Sequence, residues 1–453
     1  MLKIALISCH ASPLAVAGGF DCGGINLYLA QLGCELGASG CQVDIFTCRH
    51  RLEQPQTYLW RPNVRVIHVP AGLPGPAVFN AANRGSSPHC GHSAPNALSH
   101  EPPPYSEHFV DQFARAMVAF ARRQRGGYHI VHAHDLAAGG VARQVRRALG
   151  IPYVMTMHAG LEGPAHIGGA GSQQQPAASL LADADRIVAL CRQQRQTMQT
   201  LCGAARDHID IVPWGFDPAQ LWPVRLHARA ALALDSSAFV ALQVARIAPG
   251  HGIDAALAGV AQLAAQHGVR ARLLLVGAAA PCSGDRADDL HAPSELARLR
   301  TLAQQLDVAA TFAGPQPAAV LRRWYSAADV YVATPRTTSF GVTALEAMAC
   351  ATPVIGASVG GIASTVVDGQ TGYLIPPDNP AALAERLAWL HAHPSQARSF
   401  GVQGWRRAHR HYTWRSVARR ITAIYARVLA GVAADVAADI AADIAVDHGA
   451  PPA

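Results

Sequence analysis

The chain has almost no lysine: Lys3 is the only one among 453 residues, so arginine supplies nearly all of the formal charge of +7. Charge as a whole is scarce, at 15% of residues, while half the residues are hydrophobic. That balance excludes a mainly disordered chain. No apolar run reaches the length of a membrane-spanning helix. The opening MLKIALISCH enters a strand pattern directly, without the long apolar core of an export signal, so a soluble cytoplasmic protein is the expectation. No Cys-x-x-Cys pair occurs among the ten cysteines. They read as reduced and buried rather than as a disulfide framework. His89-Cys90-Gly91-His92 lacks a second ligand pair at zinc-like spacing, so no metal site is expected.

What the chain does have is arginine in clusters: Arg122 to Arg125, Arg143 to Arg147 and Arg406 to Arg420. These suit anionic substrates, or peripheral contact with an anionic membrane surface bearing a lipid acceptor. The plainer reading is solvated helix faces in an Ala/Arg-biased sequence. Aromatic residues fall only within the last cluster, at Tyr412 and Trp414, and no nucleic-acid module is recognisable, so no nucleic-acid partner is expected.

At this length two domains are the natural expectation. Lys3–Ser8 is an apolar run fit for a buried parallel strand. A glycine-rich loop follows, then helical spacing from Ile25 to Gly37 and a second strand at Val43–Thr47. This strand–loop–helix–strand unit belongs to doubly wound sheets. Strands also read at 64–69, 129–133, 153–157, 186–189 and 209–212. Residues 71–104 are rich in Pro, Gly, Asn and Ser and read as a mobile loop. A second series reads at 239–244, 271–276, 310–313, 330–333 and 353–355. The predicted fold class is therefore α/β, with two Rossmann-like doubly wound domains facing a cleft. The expected boundaries are 1–217, 218–400, a helical segment 401–430, and a low-complexity tail 431–453. That tail reads either as a weak Ala-rich helix or as disordered chain.

The segment Thr334 to Gly361 carries the most chemistry. A polar loop and a Phe340-Gly341 step precede a helix beginning near Val342, with Glu346 one turn inside. Unpaired N–H groups and the helix dipole suit a phosphate there. A surface glutamate on an ordinary strand–helix–strand unit is the alternative. Thr338 through Ala349, TSFGVTALEAMA, resembles the signature of family 4 retaining glycosyltransferases, enzymes of the GT-B fold. The family loop reads E-P-F-G-(I/V)-(T/V)-x-L-E-A-M-A. The match is close from Phe340 onward, but Thr338 stands where the family has its first glutamate, and Ser339 where it has proline.

The resemblance implies a nucleotide diphosphate sugar as donor and co-substrate, no other cofactor, and no bound metal. The acceptor would be a hydroxyl on a small molecule or a lipid-linked sugar. Phe340, Gly341 and Val342 would give N–H groups to the donor, and Glu346 would meet its ribose. Gln243 to Asp254 resembles the family's phosphate-gripping G-R-x-x-x-x-K-G. Arg246 fits the arginine there, and His251 stands in the lysine's place. A histidine is only partly cationic at neutral pH, so donor binding would be weaker or more pH-sensitive. Gly277 matches the glycine that makes room for the nucleotide. Gly23-Gly24-Ile25-Asn26 resembles the family's G-G-x-N/S loop, with the glycines at the donor phosphate and Asn26 at the acceptor; a self-capping helix start is the alternative. His158 matches the histidine near the transferred sugar, and His134-Asp135 follow another strand. Thr338 cannot reproduce a charged hydrogen bond. It leaves three outcomes open: a different donor sugar, slow transfer, or binding without transfer. A sugar-nucleotide epimerase on the same fold is the competing enzyme.

Overall fold

The computed structural model describes residues 1–14, 24–49, 53–71, 107–158, 174–203, 206–278 and 294–447. Gly23, the expected loop from residue 72 onward, and His89–His92 lie outside the described residues.

The first sheet contains β1 (Lys3–Ile7), β2 (Gln42–Cys48), β3 (Thr57–Arg61), β4 (Val64–Val69), β5 (Ile130–His134), β6 (Tyr153–Thr156), β7 (Arg186–Ala189) and β8 (Ile209–Ile211). Their order is β3-β4-β2-β1-β5-β6-β7-β8. Every neighbouring pair is parallel except β3 with β4. The second sheet contains β9 (Phe239–Val244), β10 (Ala271–Val276), β11 (Ala310–Phe312), β12 (Val330–Ala333), β13 (Val354–Ala357) and β14 (Gly372–Ile375). It is wholly parallel, in the order β11-β10-β9-β12-β13-β14. Both sheets are apolar on both faces because helices cover both sides. Each is doubly wound, with strand order reversing at β1/β5 and at β9/β12.

The helices follow from apolar spacing and end chemistry. Ile253–His267 buries Ile253, Ala256, Leu257, Val260 and Leu263 on one face. It packs so closely on Pro380–Ala392 that a Cβ at Gly259 would lie 2.6 Å from Leu383. Truncating Leu257 to alanine there would cost about 2–5 kcal/mol. Asn379 caps the partner helix by accepting from the Ala382 N–H at 3.0 Å, with Pro380 in the first turn.

Two strands escape the sequence reading, β3 and β14. A helix begins at Pro394, before the expected helical segment, and the final helix, Trp414–Asp447, continues into the tail that read either as a weak Ala-rich helix or as disordered chain. Thr413 caps that helix, its Oγ1 accepting from the Ser416 N–H at 3.2 Å. Val417, Ile421, Ile424, Tyr425 and Val428 form its buried face. The helix lies on the first lobe: Tyr425 bonds His132 at 2.6 Å, and Arg427 pairs with Asp210 at 2.6 Å. The chain thus crosses between lobes twice, before β9 and after Tyr412. The two crossings are tied together, Phe216 N–H to Tyr412 O at 2.8 Å and Trp414 N–H to Phe216 O at 3.2 Å. Among the described residues no helix is long and apolar enough to cross a membrane.

Candidate active site between the two lobes

In an open parallel sheet the crevice opens outside the carboxyl ends of the strands, where the order reverses. In the second lobe that point lies between β9 and β12. The loop after β9 carries Arg246 and His251; the loop after β12 carries Thr334 to Gly341. Two bonds join the loops: Thr334 Oγ1 donates to Gly252 O at 2.8 Å, and Arg336 N–H donates to Gly250 O at 3.0 Å. Gly252 has φ +71°, and a Cβ there would sit 1.7 Å from Thr334 O, so only glycine allows this approach. Arg246 is exposed and makes no ion pair with a described residue. His251 is half-buried, and burial, then the nearby Arg246 charge, hold its imidazole below the usual range. Gly277 follows β10, and a Cβ there would lie 1.8 Å from Ala245 O, beside Arg246.

Phe340 is buried against Tyr412, and Gly341, at φ +78°, opens the helix Val342–Ala349. A Cβ on Gly341 would strike Ile362 at 2.4 Å. The first bond of that helix is Ala344 N–H to Gly341 O, 3.1 Å, so the N–H groups of Val342 and Thr343 precede the ladder. Glu346 keeps some exposure, but Oε2 accepts from the buried Tyr325 hydroxyl at 2.6 Å. Burial pushes this carboxyl up to about 7, while the Tyr325 bond works against the shift. Tyr325 leans on Tyr331, whose hydroxyl donates to Val244 O at 3.1 Å at the end of β9. Glu346 is thus braced toward the strand that leads to Arg246.

In the first lobe, Gly24 begins the helix Gly24–Ala38 over the Trp214 ring. Asn26 is buried and donates through Nδ2 to Ser12 O at 2.9 Å, tying that helix to the loop after β1. His158 follows β6. Its N–H donates to Asp135 Oδ1 at 2.7 Å, and its Nε2 meets His134 Nδ1 at 2.9 Å. Asp135 holds this pose at φ +69°, a conformation aspartate tolerates better than most side chains. Tyr28 and Trp214 stand edge-on to the His158 ring, at 4.6 and 6.2 Å between centroids. Deeper still, His132 lies between the Tyr425 hydroxyl and Thr156 Oγ1, at 2.6 and 2.7 Å, and burial pushes it down to about 3. Burial also lowers His134 and His158, Asp135 partly offsetting the latter.

The two sets of loops touch. Gly360 N–H donates to Gln193 Oε1 at 2.6 Å, and Cys191 Sγ contacts Ser339 O at 3.5 Å. Thr338 is half-buried beside this contact; its carbonyl would be 1.8 Å from a Cβ at Gly360. Arg246, His251, Gly277 and the Thr338–Glu346 segment therefore gather at one end of the second sheet. Gly24, Asn26 and His158 gather at the corresponding end of the first. Tyr325, Gln193, Tyr28 and Trp214 were not singled out as site residues from sequence, because each joins the site through a contact distant along the chain. Among the described residues no cluster of three or more His, Cys, Asp or Glu could hold a metal ion.

Comparison with known proteins agrees with this architecture. Residues 224–406 match the family of glycosyl transferases group 1, and residues 23–215 match the glycosyl transferase 4-like domain. The chain is similar to D-inositol 3-phosphate glycosyltransferase 1 of Catenulispora acidiphila, with 32% identity over 433 residues, 93% of this chain and 95% of the relative. It is also similar to a D-inositol 3-phosphate glycosyltransferase of Acidothermus cellulolyticus, with 32% identity over 86% of this chain and 82% of the relative. Among solved structures, sucrose-phosphate synthase from Thermosynechococcus elongatus superposes with a TM-score of 0.76 at 28% identity, covering 95% of this chain and 100% of that one. HepE from Anabaena, solved with UDP and glucose, shares the fold with a TM-score of 0.66 at 17% identity, over 94% of this chain and 100% of its own. Two doubly wound lobes with facing strand ends, matched along nearly their whole length, place this chain among the group 1 glycosyltransferases of the GT-B fold.

Proposed function

We propose that this glycosyltransferase moves a hexosyl group from a nucleotide diphosphate sugar to an acceptor hydroxyl, with retention at the anomeric carbon. The observation that carries the reading is the joining of the Arg246–His251 loop to the loop that opens the helix Val342–Ala349. An exposed guanidinium and the start of a helix there suit a diphosphate, and both stabilise the charge that grows on it as it leaves. On this reading these groups do the neutralising, and no metal is required. Glu346, held by Tyr325, would accept from the ribose hydroxyls through its other oxygen.

The acceptor oxygen bonds to the anomeric carbon as the bond to the diphosphate oxygen breaks. The acceptor's proton passes to that departing oxygen on the same face of the sugar. A glycosidase-like double displacement would need a pair of carboxylates at the reacting carbon, and no such pair is evident among the described residues. Contact between the lobes would exclude water. The relatives' names, inositol 3-phosphate and sucrose-phosphate, favour a small phosphorylated polyol as acceptor. Thr338 favours one second reading, sugar-nucleotide binding without transfer, because the charged hydrogen bond of a glutamate is missing there.

A thermal-shift panel of UDP-, GDP- and ADP-sugars identifies the donor. Product analysis with and without an acceptor then separates transfer from epimerisation, and binding without turnover across the panel would establish the second reading. Arg246→Ala and Glu346→Ala should each weaken nucleotide diphosphate binding at least about tenfold in calorimetry, the loss of a charge-assisted contact. Unchanged affinity in both would refute the site. Thr338→Glu should alter the donor profile or the rate; an identical profile would show that position to be idle.

A further inference from the structure

His134 and His158 form a hydrogen-bonded pair whose free atoms are unusual. The bond runs from His134 Nδ1 to His158 Nε2 at 2.9 Å, with the rings inclined by only 23°. The remaining nitrogens, His134 Nε2 and His158 Nδ1, are both buried and have no partner among the described residues. His134 and His158 expose only 1% and 7% of their surface. Each neutral imidazole carries one N–H and one bare nitrogen. The shared bond uses one of each, so two arrangements are allowed. Either His158 donates, leaving its Nδ1 bare and an N–H on His134 Nε2, or His134 donates and the two free ends exchange character. Both arrangements leave the same number of unmet partners, so neither is strongly preferred. One ligand hydrogen bond is enough to choose between them.

The surroundings keep the pair neutral. Burial disfavours a positive charge on either ring, and the buried His132 stacks against His134 at 4.5 Å. Tyr28 and Trp214 cover the rings edge-on, and His10 adds a further repulsive neighbour to His158. Among the described residues Asp135 is the one acid facing the pair, and it is engaged with the His158 N–H at 2.7 Å. The backbone of His158 is pinned from one side and its ring from the other. The ring can therefore change tautomer without changing place.

We infer that His134 is a positioning residue: it lets His158 offer either a lone pair or an N–H to a sugar or acceptor hydroxyl, uncharged in both states. The inference rests on the transfer reading only for what occupies the cleft; the pair itself does not depend on it. A neutral, adaptable group suits a hydroxyl that must be held while its proton leaves, next to a diphosphate that a fixed charge would bind instead.

The test is nitrogen NMR on the full chain with 15N-labelled histidine at pH 7.5, read without ligand and with UDP-glucose. The wild type should show both rings neutral. His134→Asn, whose amide can donate or accept near the Nδ1 position, should keep the His158 pattern. His134→Phe should collapse it to a different, single tautomer. An imidazolium in the wild type, or identical His158 patterns in the wild type and His134→Phe, overturns the proposal. Should the phenylalanine variant not fold, His134→Leu serves, and the wild-type spectrum already decides the protonation state. In turnover, His134→Asn should stay within threefold of the wild-type kcat. The Phe variant should lose at least tenfold in kcat with donor KM within twofold, a split that general loosening of the lobe would not produce; unchanged kcat would refute the role. A wild type that shows the nitrogen pattern but no transfer would sink the transfer reading and leave the pair standing.

Discussion

Nucleotide-sugar binding should tighten as pH falls, and His251 should be the reason. Its side chain sits between Gly250 and Gly252, at φ +84° and +71°, in a turn fixed by Gln243 Nε2 donating to His251 O at 2.9 Å. Burial and Arg246 hold the free imidazole below its usual range, so it is neutral at pH 7.5. A diphosphate arriving beside it reverses the local field and favours the proton. At about 5 Å and an effective dielectric near 20, one unit of charge acts on another with about 3 kcal/mol. Salt and partial exposure reduce this to about 1.5 kcal/mol in favour of the protonated ring. Because the complex holds the proton more tightly than the free protein, binding takes up a proton. Affinity therefore rises as pH falls, by up to about tenfold. His251→Lys removes the slope and tightens binding at pH 8 by about tenfold, because its charge persists. The assay is calorimetry at pH 6, 7 and 8, in buffers of different ionisation enthalpy so that protons are counted directly. A nucleotide sugar is the right ligand, since its diphosphate is esterified at both ends and does not itself titrate in this range. No proton uptake in the wild type, or a slope that survives in the lysine variant, would refute the reasoning.

Three further outcomes follow from the geometry. His132, lowered to about 3 by burial, takes its proton first in the unfolded chain, so its contribution to stability is complete above about pH 6.5 and is lost as pH falls toward 3. Urea unfolding at pH 5 should show about 2 kcal/mol less stability than at pH 7 from this residue, and His132→Gln should lack that part; equal pH dependence in both proteins would reject it. Gly277→Ala places a Cβ 1.8 Å from Ala245 O, which must displace the backbone leading to Arg246. It should cost about 2–3 kcal/mol in thermal or urea unfolding and weaken nucleotide binding, and a variant normal in both would show that the loop yields freely. Gln193→Ala removes the bond to Gly360 N–H across the lobes, worth about 1 kcal/mol, so donor KM should rise about fivefold in initial-rate kinetics with little change in unfolding temperature; an unaltered KM would mean that contact is idle.

Much of the fold was legible because parallel strands buried on both faces are written as uninterrupted apolar runs. Phe239–Val244, Ala271–Val276 and Val330–Ala333 were read to the residue. β3 was missed although Pro62-Asn63 marks its turn, Asn63 lying at φ +63°, because Tyr58 and Leu59 are exposed edge residues without alternation. β14 is only four residues long, too short for a period to declare itself. The last helix runs on to Asp447, one of the two readings open for the tail, because an Ala-rich repeat carries no stop signal. In the site, glycines with positive φ and the helix start after Gly341 left marks in the sequence. The Tyr325 brace, the Gln193 contact and the His132–Tyr425 bond join residues 21, 167 and 293 positions apart, and no local pattern encodes such meetings.

The paired crossing at Phe216 and Tyr412–Trp414 has a mechanical consequence. One strap between two bodies permits twisting and sliding in any direction. Two straps laced side by side, with Trp414 wedged against Gly215, act as a flat leather hinge and leave folding about the line of the straps as the easy motion. Folding about that line would bring Gln193 back onto Gly360 and Cys191 back onto Ser339. The final helix, held to the first lobe by Tyr425 and Arg427, is the plate to which the second strap is riveted.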